Sequence, residues 1–236
     1  MIRYAAYLAA FMLPLAVPAA AECRLALLLA VDVSSSVDAA EDQLQRGGIV
    51  AALTAPEVQA AFFASDQPVA LGIYEWSGRY NQEILLDWTV IERPATLLAA
   101  AETVANSRRS HNDFPTAMGY ALGFGANMLE RAPACLYKTI DMAGDGQNNE
   151  GFLPSAAYRE FAFADVTVNG LVVNAADFEA ETGLIAFYQR EVMYGPGAFI
   201  EIAQGFEDYE RAMRRKLERE LTPQVIGQFG AIEDAG

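Results

Sequence analysis

The segment Leu25–Asp38 reads LALLLAVDVSSSVD, an apolar run that stops at the carboxylate of Asp32. A continuous apolar run of this length is typical of a central strand in a parallel sheet that is covered on both faces. Ser34 and Ser36 then follow Asp32 at every second position. In extended backbone such side chains point the same way, so one carboxylate and two hydroxyls are expected to converge just beyond the strand.

Open α/β sheets bind their ligands at this carboxyl edge. A cluster of oxygen ligands without His or Cys suits a hard divalent cation, Mg²⁺ in the first place, and also Mn²⁺ or Ca²⁺. There is an alternative interpretation. Asp and Ser at a strand-to-helix turn can instead cap the helix by accepting hydrogen bonds from its free amides. The triplet taken alone leaves both interpretations open.

The composition describes one globular domain with an ample core. The chain has 236 residues, of which 53% are hydrophobic and 20% are charged. Its net charge of −15 repels phosphate groups, which argues against nucleic acid and anionic membranes as partners. A bound divalent cation can still attract a carboxylate ligand, because the charge of the ion dominates at short range.

The first 21 residues have the pattern of a cleavable signal peptide. Arg3 gives a positive start, Ala5–Val17 an apolar core, and Ala19–Ala21 a small-residue cleavage site. The apolar core is too short for a membrane span, and no later stretch is long enough for one. We therefore expect an exported protein, periplasmic or secreted, with a domain over residues 22–221 and a flexible tail over residues 222–236.

Cys23 and Cys135 are the two cysteines of this predicted exported chain. An oxidising compartment favours a disulfide between them. Cys23 lies nine residues before Asp32, and Cys135 lies ten before Asp145. If both acids end neighbouring parallel strands, both cysteines start them, about 4.8 Å apart. Two buried free thiols are the alternative, and lipidation of Cys23 is disfavoured because Glu22 precedes it.

The order of predicted elements defines the fold class. It runs strand, helix, hairpin, helix, helix, strand, strand, helix, strand, helix, where the hairpin joins Val69–Trp76 to a strand around Glu83–Trp88. Such alternation predicts a doubly wound α/β domain with helices on both faces of the sheet. The sheet is expected to be mostly parallel, with one antiparallel edge strand from the hairpin.

Three segments are then expected at the same edge of the sheet. They are Asp32-x-Ser34-x-Ser36, Thr116 at the start of a helix, and Asp145 directly after a strand. In residue type, order and rough spacing they resemble the von Willebrand factor type A (vWA) domain with its metal-ion-dependent adhesion site (MIDAS). The resemblance covers about Leu25 to Leu221.

The vWA resemblance implies a role for each matching residue. The hydroxyls of Ser34, Ser36 and Thr116 would hold the metal, and Asp32 and Asp145 would bind it directly or through water. The open coordination position would accept a carboxylate from a partner protein or peptide. One departure is Gly144, where many vWA domains have Ser or Thr, and it is expected to weaken the support around the metal.

A closer likeness is to a group of uncharacterised bacterial exported proteins with the vWA fold. Two segments carry it, Gly144–Asn149 (GDGQNN) and Gly195–Phe199 (GPGAF). That group has no established activity to carry over. The glycines on either side of Pro196 also fit a simple turn before the last strand.

Several nearby residues are weaker candidates. Asp113 could tune the metal site, although a loop-capping role is favoured, and Gly146 and Asn148 could shape the turn beside the metal. His111 is the only histidine and is more simply a solvated loop residue. Asp141 lies inside a strand, where we expect it to be paired rather than to bind metal.

Three functions remain open from the sequence. The first is a non-enzymatic binding module that recognises a protein or peptide carboxylate through its metal. The second is a metal-assisted hydrolase, with Asp32 or Asp145 as the base. The third is a structural domain whose metal only stiffens the loops. A Ser-His-Asp triad would have to use His111, and no nucleotide-binding glycine motif is present.

Overall fold

The apolar run becomes β1, the central strand of a six-stranded sheet in a computed structural model that describes residues 22–174 and 178–222. The predicted signal peptide and residues 223–236 of the predicted tail lie outside these ranges. In chain order the elements are β1 (Cys23–Asp32), α1 (Ala39–Thr54), α2 (Pro56–Phe62), β2 (Val69–Trp76), β3 (Gln82–Ile91), α3 (Pro94–Ala105), α4 (Met118–Glu130), β4 (Cys135–Gly144), α5 (Pro154–Glu160), β5 (Val166–Val173), α6 (Phe178–Phe187), a π-helix (Tyr188–Val192), β6 (Ile200–Ala203), a 3-10 helix (Phe206–Asp208) and α7 (Tyr209–Leu221).

The strand order is β3-β2-β1-β4-β5-β6. The hairpin pair β2 and β3 is antiparallel, and the other neighbouring strands are parallel. The predicted fold class is therefore confirmed, including the antiparallel edge strand. The prediction missed α5, a helix of seven residues that begins with Pro154 and buries only that proline and Ala157, so it has no large apolar residues at helical spacing.

β1 is buried on both faces, as its apolar run predicted. Its odd-numbered side chains from Leu25 to Val31 enter one core with α1, α2, α3 and α7. Its even-numbered side chains from Ala26 to Ala30 enter a second core with α4 and α6. Because helices cover both faces, the carboxyl ends of β1 and β4 are left free to carry polar groups. Within the described ranges, no helix is long and apolar enough to cross a bilayer.

The disulfide between Cys23 and Cys135 joins the opposite end of the same two strands. The two residues are direct neighbours in the parallel register of β1 and β4, with Cα atoms 4.4 Å apart. The predicted pairing is confirmed. The disulfide fixes the two strands that end in Asp32 and Gly144, the residues that begin the candidate site.

Candidate metal site

The turn after β1 presents the Asp-Ser-Ser triplet. Asp32 is fully buried at the end of the strand, and its Oδ1 accepts a hydrogen bond of 2.7 Å from the backbone N–H of Ser34. The cap of α1 is Asp38, whose carboxylate accepts from the amides of Ala40 and Glu41 at 2.7 and 2.9 Å. The helix is capped without the triplet, so the alternative interpretation of the triplet as a helix cap loses its support.

The five predicted ligands lie together at the carboxyl edge of the sheet. Thr116 Oγ1 lies 3.3 Å from Ser34 Oγ, which lies 3.1 Å from Ser36 Oγ. Ser36 in turn donates to Asp145 Oδ1 at 2.7 Å. Oxygens from three separate segments therefore form one connected cluster, which the Ser34 backbone links to Asp32. Ser36 is exposed, so the cluster opens to solvent.

The cluster fits a hard divalent cation by its chemistry. Its donors are all oxygens, and Asp32 Oδ2 is buried without a hydrogen-bond partner among the described residues. A buried carboxylate oxygen in that condition is costly unless a proton or a cation satisfies it. In the described ranges no three His, Cys, Asp or Glu side chains gather at one point. A cation held here would take its remaining ligands from hydroxyls, a set of oxygen donors typical of hard cations such as Mg²⁺.

Electrostatics also favours a cation here. Burial, reinforced by the nearby Asp145 carboxylate, raises the pKa of Asp32 to about 8. Burial likewise raises the pKa of Asp145. Two carboxylates held close together in a low dielectric resist ionising, and a divalent ion between them would remove that resistance.

The comparisons with known proteins agree with this architecture. A sequence model of the family described as Protein of unknown function (DUF1194) matches residues 22–225. The chain belongs to this family. No protein with a curated description matches the sequence.

Solved structures place the DUF1194 domain in the vWA fold. A von Willebrand factor type A protein from Catenulispora acidiphila is 14% identical with a TM-score of 0.57, over 84% of this chain and 43% of that one. Proximal thread matrix protein 1 from the mussel byssus, with a zinc-occupied MIDAS motif, is 14% identical with a TM-score of 0.60, over 85% and 48%. The pilus adhesin SpaC from Lactobacillus rhamnosus GG is 13% identical with a TM-score of 0.59, over 84% and 31%. The chain spans less than half of each of these proteins.

Gly144 departs from the vWA pattern for a steric reason. A Cβ at this position would lie 2.8 Å from Asp32 Oδ2 and 2.8 Å from the hydroxyl of Tyr188. The Tyr188 hydroxyl thus occupies the space where a Ser or Thr side chain at position 144 would go. Tyr188 is fully buried, and its hydroxyl has no hydrogen-bond partner within the described part of the chain. It lies on the π-helix far along the sequence, where no local pattern could have revealed it.

Thr116 is held in place by the loop over residues 145–153. Asn149 Oδ1 accepts from the Thr116 amide at 2.9 Å, and the Asn149 amide donates to the Thr116 carbonyl at 3.0 Å. The candidate Asn148 makes a longer contact, accepting from the Gly119 amide at 3.4 Å. Gly146 lies beside Thr116, since a Cβ there would be 3.6 Å from its Oγ1. Asn149 is therefore the main support of this ligand.

Arg109 is the most extensively bonded residue that the sequence interpretation missed. Its guanidinium has five N–H groups, and it makes five hydrogen bonds to backbone carbonyls: His111 (2.6 Å), Val37 (2.6 Å), Asp38 (3.3 Å), Val33 (2.9 Å) and Ser34 (2.9 Å). It thereby ties the turn that carries three predicted ligands to the loop over residues 107–116, which leads to Thr116. Burial still raises the pKa of Asp32 and of Asp145, and the charge of Arg109 offsets part of that rise.

The other candidates in the 107–116 loop are less involved. Asp113 is exposed and makes no hydrogen bond or ion pair with another described residue. His111 packs edge-on against Phe114, with ring centroids 5.1 Å apart. Phe114 itself borders the site, because its carbonyl accepts from the Ser35 amide at 2.8 Å.

Proposed function

We propose that this chain is an exported, metal-dependent binding module that holds Mg²⁺ and recognises a carboxylate of a protein or peptide. Mn²⁺ and Ca²⁺ are chemically acceptable substitutes. The proposed metal ligands are Asp32, Ser34, Ser36, Thr116 and Asp145. The observation that carries the proposal is the buried, unpartnered carboxylate oxygen of Asp32 within a connected cluster of hydroxyls and a second carboxylate.

Each group of the cluster has a definite task in this proposal. The two carboxylates neutralise the ion, and the three hydroxyls complete part of its shell without adding charge. A bound cation supplies an open coordination position with Lewis acidity, which a carboxylate oxygen can fill. The exposed Ser36 places that position at the surface, where a partner protein can reach it.

Binding is favoured over hydrolysis by the groups around the site. The single histidine has its described contact with Phe114, and both cysteines are joined in the disulfide. The cavity of about 990 Å³ lies at the other edge of the sheet, around Thr139, Thr167 and Phe199, and none of the five proposed ligands lines it. The signal-peptide pattern and the likeness to a pilus adhesin support a role outside the cytoplasm.

The test is a calorimetric titration of the mature protein with Mg²⁺ and with Mn²⁺. We expect saturable binding to the wild type and none to Asp32→Ala. Asp113→Ala is the matched control, an acidic residue on the same edge that makes no described contact, and it should bind as the wild type does. The titration is repeated with acetate present, so that a missing carboxylate cannot hide the site. No binding in either condition would contradict the proposal.

Recognition of a carboxylate is tested separately. Arrayed peptides that contain Asp or Glu, each beside its Asn or Gln counterpart, are probed with the labelled protein in Mg²⁺ and in chelator. We expect binding that needs both the metal and the acidic side chain. Metal binding without any such preference would leave the metal with a purely structural role.

A further inference from the structure

A second cluster of buried charges lies away from the metal site, between β4 and α7. Lys216 on α7 contacts Asp141 Oδ1 on β4, and its Nζ lies 2.7 Å from Glu220 Oε1, one helical turn further on. The side chains of Lys216, Asp141 and Glu220 are 0%, 1% and 3% exposed. The Phe199 ring covers the ammonium group, with its centroid 4.7 Å from Nζ. Water is therefore largely excluded from an amine held against a carboxyl group.

This cluster does not balance as a simple ion pair. Two carboxylates face one ammonium, and neither Asp141 Oδ2 nor Glu220 Oε2 has a hydrogen-bond partner among the described residues. Asn169 donates to Glu220 Oε1 at 2.6 Å, so it supports the oxygen that is already bonded. Uncompensated buried charge is strongly unfavourable. An amide between Lys216 and Asp141 would remove two of these three buried charges and leave only that of Glu220.

The choice of lysine at this position is informative. Lys138 and Lys216 are the only lysines of the chain, and every other basic side chain except His111 is an arginine. Arginine is the usual residue for a buried ion pair, because its planar group forms more hydrogen bonds and is less strongly hydrated. A lysine amine, unlike a guanidinium, can lose its proton and act as a nucleophile. The buried position thus has the one basic side chain suited to forming an amide.

We propose that Lys216 and Asp141 form an intramolecular isopeptide bond, an amide between Lys216 Nζ and Asp141 Cγ, with Glu220 transferring the proton. Lys216 first gives a proton to Asp141, which yields a neutral amine beside a neutral carboxylic acid. The amine attacks Cγ, Glu220 takes a proton from Nζ and returns it to the departing oxygen, and the Cγ–O bond breaks. One water molecule leaves, and no oxidant or other reactant is required.

The surroundings favour the reacting form of Asp141 and oppose that of Lys216, so the proton must pass within the pair. Burial and the neighbouring Glu220 raise the pKa of Asp141 well above its ordinary value, so its protonated form is accessible. Burial alone would lower the pKa of Lys216, although the two carboxylates outweigh it and raise that pKa overall. Transfer of the proton within the pair replaces two buried charges by two neutral groups, which the low dielectric favours.

The bond would extend the covalent framework of the domain. The disulfide joins β1 to β4 at Cys135, and the amide would join β4 at Asp141 to the C-terminal helix α7. Unlike the disulfide, an amide is not opened by reducing agents. Such a cross-link suits a domain that is exported and exposed to protease or load outside the cell.

The test is the intact mass of the mature protein after complete reduction and denaturation. We expect the wild type to be lighter than its sequence by one water molecule, and Lys216→Arg to have its full mass. Lys138→Arg is the matched control, because Lys138 is the other lysine of the chain and lies on β4 with Asp141, and it should keep the loss. Proteolysis of the wild type should give a branched peptide that contains both Asp141 and Lys216.

Two other reactions lose water and must be separated from this one. Asp145-Gly146 can form a cyclic imide, and an N-terminal Glu22 can cyclise. Both would persist in Lys216→Arg, whereas the isopeptide bond cannot. Glu220→Gln keeps the shape of the cluster and should slow or abolish bond formation. A wild type of full mass, or a loss that persists in Lys216→Arg without a branched peptide, would overturn the proposal.

Discussion

The strand β4 and the turn that follows it each contribute a carboxylate to a cluster, and the two clusters differ in how their charge is balanced. Asp141, inside the strand, meets Lys216 and Glu220 in a closed space. Asp145, directly after the strand, joins Asp32 and three hydroxyls at an open edge. The first cluster contains a basic side chain of the chain itself. Among the described residues the second has none in hydrogen-bond contact, because the nearby Arg109 directs its N–H groups to backbone carbonyls.

The difference shows how the neighbours of a buried carboxylate determine its role in a folded protein. Buried carboxylates need a partner, and where the chain provides lysine the cluster is a matter of stability or covalent chemistry. Where the described neighbours of a buried carboxylate are hydroxyls, as around Asp32, a proton or a bound cation is left to balance its charge. Substitutions that remove the lysine from the first cluster, or a carboxylate from the second, test this contrast most directly.

The largest effect is expected from Lys216→Met. This change keeps the bulk of the side chain but removes the nitrogen that faces Asp141 and Glu220, and with it the proposed amide. We expect the free energy of unfolding to fall by about 3–5 kcal/mol, the usual cost of removing one partner from a buried pair. Urea denaturation measures this loss of free energy, and Lys138→Met is the control. A stability within error of the wild type would mean that Lys216 does not stabilise the fold.

Asp32→Asn should behave in the opposite way. In chelator the substitution removes a buried carboxylate that has no cation, so the free energy of unfolding should stay level or rise. The wild type should gain about 2.7 kcal/mol when Mg²⁺ is raised to a hundred times its dissociation constant, and the variant should gain nothing. Urea denaturation of both proteins with and without Mg²⁺ measures this stabilisation. If Mg²⁺ still stabilised the variant, Asp32 would not be a metal ligand.

The sequence predicted the fold well because the pattern of β1 is strong at every level. A long apolar run, a carboxylate at its end and alternating elements all indicate the same parallel sheet. The helix α5 was not predicted because its buried residues, Pro154 and Ala157, do not form an apolar stripe of large side chains. The π-helix that presents Tyr188 could not be anticipated either, since its geometry follows from tertiary packing rather than from local preference.

The predicted ligands could be chosen from the sequence only where they are close together in the chain or match the order of residues in a known family. Asp32, Ser34 and Ser36 are neighbours in the chain, and Thr116 and Asp145 match the vWA order. The residues that hold these predicted ligands in place follow no such sequence pattern. Arg108 and Arg109 are indistinguishable in the sequence, yet Arg108 is exposed and makes no described hydrogen bond, while Arg109 makes five.

This pair of arginines supplies a third prediction. Arg109→Gln should weaken Mg²⁺ binding by about 10- to 100-fold, the usual effect of losing a group that orients metal ligands. The turn that carries Ser34 and Ser36 would no longer be fixed to the 107–116 loop. Arg108→Gln is the adjacent control and should bind normally. Calorimetry measures the affinity, and methylguanidine added to Arg109→Ala should restore part of it. Equal affinity in both variants would show that the turn orients itself.

The smallest and most specific difference between the clusters is their response to pH. Because the pKa of Asp32 is raised to about 8 without metal, protons compete with Mg²⁺ below that pH. The apparent affinity for Mg²⁺ should therefore rise about tenfold from pH 6 to pH 7, and level off above pH 8.

The stability of the metal-free protein should change with pH in the opposite direction. A folded pKa above the unfolded value gives stability that is complete at low pH and is lost as the pH rises towards 8. Mg²⁺ should reverse that loss in the wild type and not in Asp32→Asn, as thermal unfolding at each pH would show. An affinity that does not change between pH 6 and pH 8 would mean that Asp32 is already ionised without metal, and that a positive group of the chain balances it after all.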